Sequence, residues 1–327
     1  MKTAAYVGFL VGLILLIVLS VRSDLGDMVR TVAQAGWPLL WLLPYRTIFF
    51  LLYGIGWFVL LRPYNREGLI GLPYLLWVTT VRDAIDRLLP VASIGGSIAG
   101  VRLLRWRGLA LAPAGATVAI EILLTLFTIF AFTALGLSLL ADLGIAGREF
   151  APIWFVLPLS LAIPVGSALL LRYASPFGRL HGLLFRLVGT SADPGGAEAL
   201  DREVRNCLHR SGAMITAGTL QLVAFVSGAF EVWFALRLFA HPISAKAAIM
   251  LESMTQAIRH VAFVVPAGVG VQEAGLVLFG QALGLSSELA LSVSMAKRIR
   301  EVLFSLPPLL SWQWMEARRL HRQAAED

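Results

Sequence analysis

The fold class is decided by residues 113–141, which read PAGATVAIEILLTLFTIFAFTALGLSLLA and carry one charged side chain, Glu121. A helix needs about 20 mostly apolar residues to cross the hydrocarbon core of a bilayer, and this stretch exceeds that length. Further apolar runs of span length lie at residues 4–21, 37–61, 152–171, 212–240 and 288–314. We therefore predict an all-α polytopic membrane protein with about six full transmembrane helices.

The overall composition supports this prediction. The 327 residues are 58% hydrophobic and 14% charged, whereas soluble domains are roughly 45–50% apolar and about 25% charged. A water-soluble core cannot bury so much apolar surface, which excludes a cytosolic enzyme, a nucleic-acid-binding protein and a disordered chain. The net charge of +7 is attributed to cytoplasmic loops, where membrane proteins concentrate arginine. The single cysteine, Cys207, excludes a disulfide framework and a cysteine-based metal site.

Two further apolar segments, 69–101 and 247–285, are interrupted by charges, a proline and a glycine cluster. Each runs from an arginine, Arg82 or Arg259, to the proline and then through a glycine-rich turn into more helix. A helix broken inside hydrocarbon is tolerated only against protein or a watery cavity. We predict two re-entrant hairpins related as an inverted repeat, as in transporters that bind substrate near the midplane. The predicted hairpin breakers are Pro90, Gly95, Gly96, Pro266, Gly268 and Gly270. Full crossings and ordinary kinked helices are the alternatives.

Loop charges predict the orientation. With a cytoplasmic N-terminus and hairpins that return to their side of entry, few basic residues fall in outer loops. They are Arg22, Arg30, Arg148 and Lys246. This bias follows the positive-inside rule, so we predict a multi-pass membrane protein with both termini cytoplasmic. It is predicted to form a single integral membrane domain over 1–327. The expected parts are a first half 1–171, a cytoplasmic amphipathic connector 172–211 with an interfacial helix at 177–188, a second half 212–314 and a tail 315–327.

Many charged side chains lie inside the apolar segments. An ionised group at a helix centre costs at least about 2.5–3.5 kcal/mol, so these charges are expected to pair or to bind a ligand. Some have the i,i+4 spacing that places two side chains next to each other on a helix. These pairs are Arg82–Asp86, Asp83–Arg87 and Lys297–Glu301. Arg46 and Arg237, near segment ends, are expected to snorkel to the interface.

The run 297–301, Lys-Arg-Ile-Arg-Glu, places three cations and one carboxylate within an apolar helix. The cationic excess is expected to attract an anion, and a phosphate-bearing lipid headgroup is the natural candidate because arginine pairs with phosphate as it does with carboxylate. The predicted substrate-binding residues are Arg82, Asp83, Asp86, Arg87, Glu252, Arg259, Glu273, Lys297, Arg298, Arg300 and Glu301. Structural ion pairs that hold the helices together are the alternative for the same residues.

No sequence motif indicates chemistry. Residues 268–273 imitate the start of a dinucleotide fingerprint, but Glu273 replaces the third glycine and no βαβ context surrounds it. A phosphate-binding loop for ATP is absent, the histidines lack metal-ligand spacing, and no nucleophile lies beside a histidine in a recognisable elbow. We predict no catalytic residue, no metal, no cofactor and no enzymatic activity.

The second broken segment and the helix after it resemble a known family. Residues 266–275, PAGVGVQEAG, with 283–285 and the helix 290–311, are similar to the transmembrane domain of lysylphosphatidylglycerol synthases, also called flippase-like proteins. Residues 88–104 resemble that family's N-terminal signature, and 297–313 are similar to a branch of hopanoid-biosynthesis-associated membrane proteins. The resemblance implies a membrane domain with re-entrant hairpins that moves or presents lipids between leaflets. Bifunctional members carry a soluble aminoacyl-transferase domain after it; because this chain ends shortly after Trp314, no lipid aminoacylation is expected.

The resemblance and the charged segments together predict a flippase-like lipid transporter of the bacterial inner membrane that binds an anionic or polar headgroup in a charged cavity between the two hairpins. Glu252 and Glu273 are expected to hold the cations in place or to couple transport to protons. The expected partners are membrane lipids and other lipid-biosynthesis proteins, without nucleic acid; no oligomeric state is indicated. The alternatives are a membrane-embedded accessory protein or enzyme of hopanoid-type lipid biosynthesis, and a scaffold for other lipid enzymes.

Overall fold

The computed structural model of the chain describes residues 25–88, 95–144, 151–179, 194–262, 265 and 268–326. Within these ranges every regular element is helical, which confirms the all-α prediction. A 3-10 turn, Trp37–Trp41, leads into the second helix. In chain order the α-helices are α1 (Leu25–Ala35), α2 (Leu42–Leu61), α3 (Leu72–Leu88), α4 (Gly95–Trp106), α5 (Leu111–Asp142), α6 (Ala151–Tyr173), α7 (Pro194–Leu208), α8 (Ser211–Leu238), α9 (Ala245–Val261), α10 (Val271–Ala282) and α11 (Ser287–Glu326).

In the described part of the chain, three helical stretches are long and apolar enough to cross a membrane. They are Trp37–Leu61, Leu111–Asp142 and Ser211–Leu238. They confirm the spans predicted at 37–61, 113–141 and 212–240, with ends that agree within the usual uncertainty of helix boundaries.

The other predicted spans have different outcomes. Residues 152–171 lie in α6, whose described apolar portion is Leu161–Tyr173. Residues 288–314 lie in α11, the helix that carries the charged run 297–301. The predicted span at 4–21 falls outside the described residues. Of the predicted interfacial helix, residues 177–179 are helical and the remainder lies outside the described ranges.

The chain forms two compact units, each assembled from segments distant in sequence. The first unit comprises Met1–Ile48, Trp77–Ile98 and Gly228–Asp327, and the second comprises Phe49–Leu76 and Ala99–Ser227, as far as these ranges are described. The predicted division into two halves joined by a connector stays a prediction.

The second unit has an apolar core in which α5 and α7 contribute most of the buried side chains. Ile120 and Leu123 of α5 contact Val204 and Cys207 of α7 within one buried cluster. The same unit contains a close helix crossing, because a Cβ atom added to Gly56 would lie 3.2 Å from the carbonyl oxygen of Ala217. Small residues at such crossings are typical of helix packing in membranes.

One end of α7 is fixed by polar contacts in the second unit. The Tyr64 hydroxyl donates to Glu203 Oε2 at 2.8 Å and lies 3.3 Å from Cys207 Sγ. The buried Asp201 carboxylate accepts the backbone N–H of Gly178 at 2.8 Å, satisfying an amide at the start of a helix, where such donors lack intrahelical partners. Burial raises the pKa of the Cys207 thiol above its usual range. These contacts of Asp201, Glu203 and Cys207 fix α7 within the second unit.

In the first unit, α9 packs against α10, α10 against α11, and α11 against α1. The helices α3 and α9 precede the two predicted breaks, and α4 and α10 follow them. The predicted breakers Pro90 and Pro266 fall outside the described residues. The repeat, its inverted relation and the re-entrant geometry stay predictions.

Candidate functional site

Three arginines of the first unit converge on one carboxylate, that of Glu301 in the middle of α11. Arg87 of α3 forms an ion pair with Glu301 Oε1, and Arg259 of α9 approaches the same oxygen at 3.7 Å. Arg298, one turn earlier on α11, contacts Glu301 Oε2 at 3.3 Å. We call these four residues the arginine–glutamate cluster. It unites side chains from both segments that the sequence predicts to be hairpins.

Two of the three arginines have a second carboxylate. Asp83 Oδ1 and Oδ2 each accept from Arg87 Nε at 2.8 Å, which confirms the predicted i,i+4 pair. Glu273, in the first turn of α10, accepts from Arg298 Nε at 3.1 Å. Among the described residues, Arg259 has an ion pair only with Glu301. The charge of Arg259 is therefore the least compensated of the three.

A chain of neutral polar side chains connects Arg259 to Glu273. Arg259 donates to Gln272 Oε1 at 3.4 Å, Gln272 donates to Ser294 Oγ at 3.3 Å, and the Ser294 hydroxyl donates to Glu273 Oε1 at 2.8 Å. Gln272 and Ser294 are buried. Such a network fixes side-chain orientation in a low-dielectric environment, where hydrogen bonds are stronger.

The two other cations of the run 297–301, Lys297 and Arg300, form buried pairs with other helices. Lys297 Nζ donates to Glu252 Oε2 of α9 at 2.6 Å, and Arg300 donates to Glu231 Oε2 of α8 at 2.6 Å. Arg46 of α2 also approaches Glu231, at 3.7 Å.

Three expectations are wrong. Lys297 pairs with Glu252 on α9 rather than with Glu301 four residues ahead. The Glu252 carboxylate is buried next to Lys297, and a buried charge needs a partner of opposite charge. The cationic excess inferred from 297–301 alone is also largely removed, since carboxylates of other helices neutralise Lys297 and Arg300. Arg46 is buried rather than snorkelling.

Exposure separates the two groups of cations. The side chains of Arg87, Arg259 and Arg298 are 14%, 17% and 24% exposed, whereas those of Lys297 and Arg300 are 3% and 5% exposed. A ligand can reach a guanidinium that keeps exposed surface, but it cannot reach one that is enclosed by protein. The arginine–glutamate cluster is thus the accessible part of the charged region, and the buried pairs hold α8, α9 and α11 together.

The predicted hairpin glycines lie where close approach or unusual backbone requires them. The Gly96 N–H donates to Asp86 Oδ1 at 2.9 Å, and a Cβ at Gly96 would overlap both that carboxylate and the carbonyl oxygen of Arg82. Gly268 has φ +60°, and a Cβ there would lie 3.1 Å from Arg259 Cγ. Gly95 is the first residue of α4. Gly270, with φ +77°, precedes α10.

The predicted binding residues leave out four polar residues of this region: Arg46, Glu231, Gln272 and Ser294. Ser294 could have been found, because Ser294, Arg298 and Glu301 recur at i, i+4 and i+7 on one helical face. Gln272 was hidden within the glycine-rich motif. The partners Arg46 and Glu231 lie on separate helices, so no spacing within the sequence connects them.

The profile of the family described as "Lysylphosphatidylglycerol synthase TM region" matches residues 6–308. The chain belongs to this family. Membership confirms the resemblance seen in the sequence and makes the chain a membrane protein tied to lipid metabolism or transport. In this member of the lysylphosphatidylglycerol synthase transmembrane-region family, the arginine–glutamate cluster and both buried pairs lie within the matched residues. The comparisons with curated proteins and with solved structures found no match. The hopanoid-associated branch stays a prediction.

The cluster has the chemistry of an anion site. Arginine presents planar N–H donors in a geometry that fits carboxylate and phosphate alike, and Glu301 already occupies such a position between three guanidinium groups. A phosphate group offers the same arrangement of acceptor oxygens.

Proposed function

We propose that this protein is a flippase-like transporter of the bacterial inner membrane that binds the anionic or polar headgroup of a lipid at the arginine–glutamate cluster. The observation that carries the proposal is the convergence of three partly exposed arginines from three helices on one carboxylate in the middle of α11. Buried charges are costly in a membrane and mark substrate pathways. The proposal requires binding and movement of the lipid, without covalent chemistry.

The position of Glu301 along α11 supports a site near the bilayer midplane. At 1.5 Å per residue, Glu301 lies about 20 Å from Ser287 and about 20 Å from Trp314. Trp314 is 56% exposed, and the Arg318 guanidinium lies 3.6 Å from the centre of its ring. Exposed tryptophan beside arginine is typical of the membrane interface. A bilayer with its headgroups is about 40–45 Å thick, so α11 from Ser287 to Trp314 has the length of one crossing.

The placement of two cluster arginines supports the inverted-repeat part of the proposal. Arg87 lies in the last turn of α3, before the first predicted break, and Arg259 lies in the last turn of α9, before the second. Transporters built from inverted repeats place substrate between broken helices of both repeats. We propose this arrangement here, with both termini cytoplasmic as loop charges indicate.

Leaflet-resolved translocation in proteoliposomes tests the proposal. The probe is phosphatidylglycerol with a fluorophore on one acyl chain, whose outer-leaflet fraction is destroyed by a membrane-impermeant reductant. The combined change Arg259→Ala and Arg298→Ala removes two charged donors, each contributing about 1.5–3 kcal/mol to hydrogen bonding, and should slow translocation at least about tenfold. The matched control is Arg62→Ala with Arg202→Ala, two exposed arginines outside the cluster.

A wild-type rate in the double variant would show that the site is assigned wrongly. Absence of translocation by the wild type would refute transport. Mass spectrometry of the lipids from the same vesicles then distinguishes the enzymatic alternative, which predicts a new lipid product.

A further inference from the structure

With the neighbouring carboxylates Asp83 and Glu273, the arginine–glutamate cluster is balanced in charge before any ligand binds, three arginines against three carboxylates. Glu301 contributes both carboxylate oxygens, one towards Arg87 and Arg259 and the other towards Arg298. The outer carboxylates Asp83 and Glu273 compensate Arg87 and Arg298 from their far sides. An incoming anion therefore meets a site whose central position is already taken by an anion of the protein.

If Glu301 were displaced, two of the three arginines would keep another carboxylate partner. Arg87 would keep Asp83, and Arg298 would keep Glu273 and the backbone carbonyl oxygen of Gly268, which accepts from it at 3.1 Å. Arg259 would lose its ion pair with Glu301 and would keep the hydrogen bond to Gln272. A phosphate in place of the Glu301 carboxylate would restore a charge partner to Arg259, so the exchange of one anion for the other is geometrically conservative.

We propose that Glu301 is a built-in competitor for the anionic headgroup: its carboxylate occupies the arginines when the site is empty, yields to a phosphate on binding, and returns to expel it. This inference rests on the proposed function and adds how the site is regulated. An anion held by three arginines in a low-dielectric site dissociates slowly, because charge-assisted hydrogen bonds are the strong ones. A carboxylate that takes back the same donors shortens the residence of the lipid, and a transporter needs such release.

A competing Glu301 and a headgroup-binding Glu301 predict opposite effects of Glu301→Gln on lipid binding. If Glu301 contacted the headgroup favourably or only positioned the arginines, Glu301→Gln would weaken binding. If Glu301 competes with the headgroup, Glu301→Gln keeps the shape of the side chain, removes the competing charge and strengthens binding.

The experiment measures binding of dioctanoyl phosphatidylglycerol to the purified full chain in an uncharged detergent, by calorimetry. For Glu301→Gln we expect the dissociation constant to fall at least tenfold, and the translocation rate at saturating lipid to fall as well because release is slowed. Glu301→Asp retracts the charge by one methylene group and should give a smaller gain in affinity. It keeps the inference testable if the glutamine variant does not fold. The matched control is Glu203→Gln, a carboxylate of the second unit that accepts from Tyr64 and whose change should leave both values unaltered.

The outcomes separate this inference from the proposed function. One outcome overturns only the competitor role. In it, both Glu301 variants bind the lipid no more tightly than the wild type, while the Arg259→Ala, Arg298→Ala double variant loses binding. The assigned site would then stand. Tighter binding with an equal or faster translocation rate overturns the role in release. If the Arg259→Ala, Arg298→Ala double variant binds the lipid as tightly as the wild type, the assigned site is wrong.

Discussion

The buried pair between Lys297 and Glu252 gives a prediction whose size follows from the geometry. The two charged groups are 2.6 Å apart and their side chains are 3% and 4% exposed. Removing one partner of such a pair leaves an uncompensated buried charge and costs about 3–5 kcal/mol, whereas replacing both by neutral groups of similar volume is close to neutral. We therefore expect Lys297→Met and Glu252→Gln to lower the free energy of unfolding by about 3–5 kcal/mol each, and the double variant to be more stable than either.

The double-mutant cycle can be measured by titrating the protein in mixed micelles with sodium dodecyl sulfate and following unfolding by circular dichroism. The coupling energy between residues 252 and 297 should be about 3 kcal/mol or more, at the upper end for residues in contact. Glu198→Gln, on an exposed side chain of α7, serves as the matched carboxylate control and should change the free energy of unfolding by less than about 0.5 kcal/mol. Single variants that cost less than about 1 kcal/mol, or effects that simply add, would refute the assignment of this pair as a buried structural contact.

Three further predictions follow from local geometry. Gly268→Ala should destabilise the protein by about 1–2 kcal/mol in thermal unfolding, because alanine disfavours a positive φ. The same change should weaken phosphatidylglycerol binding measured by calorimetry, because the added Cβ displaces the Arg259 side chain. Gly96→Ala should lower the unfolding temperature, since its Cβ overlaps the Asp86 carboxylate that accepts the Gly96 N–H. Cys207 is 3% exposed, and burial raises the pKa of its thiol. At pH 7 it should therefore react with a maleimide far more slowly in the folded protein than after denaturation. The reaction should become faster as the pH rises, because the thiolate is the reactive form.

Gly166→Ala is the control for both glycine variants. A Cβ at Gly166 meets no atom within 4 Å, and alanine is a better helix former than glycine by about 1 kcal/mol, so this change should be neutral or stabilising. Equal destabilisation of all three variants would contradict the specific contacts of Gly96 and Gly268. A thiol reaction rate of Cys207 that is equal in folded and denatured protein would contradict its burial.

The fold class was predictable because it depends on long apolar runs. Residues 113–141 can satisfy their backbone in a bilayer only as a helix, and α5 has those bounds to within a few residues. The pair Asp83–Arg87 was predictable for a similar reason, since its i,i+4 spacing is a property of one helix.

Glu252 and Glu273 were expected to hold cations in place, and they do so, but their partners Lys297 and Arg298 could not be named from the sequence. The spacing of Lys297 and Glu301 satisfies the same rule as Asp83 and Arg87, yet Lys297 contacts Glu252 on another helix. A sequence gives the positions of charges along each helix but not which faces meet. The centre of the candidate site, where Arg87 and Arg259 from distant segments approach Glu301, depends on that tertiary contact.

The most direct test of the central claim is a cryo-electron microscopy map of the protein in nanodiscs of phosphatidylglycerol. The account predicts density for a lipid phosphate within hydrogen-bonding distance of Arg87, Arg259 and Arg298, with the Glu301 carboxylate withdrawn from at least one of them. A map in which Glu301 keeps all three arginines, while ordered lipid phosphates lie only at the two membrane surfaces, would contradict it.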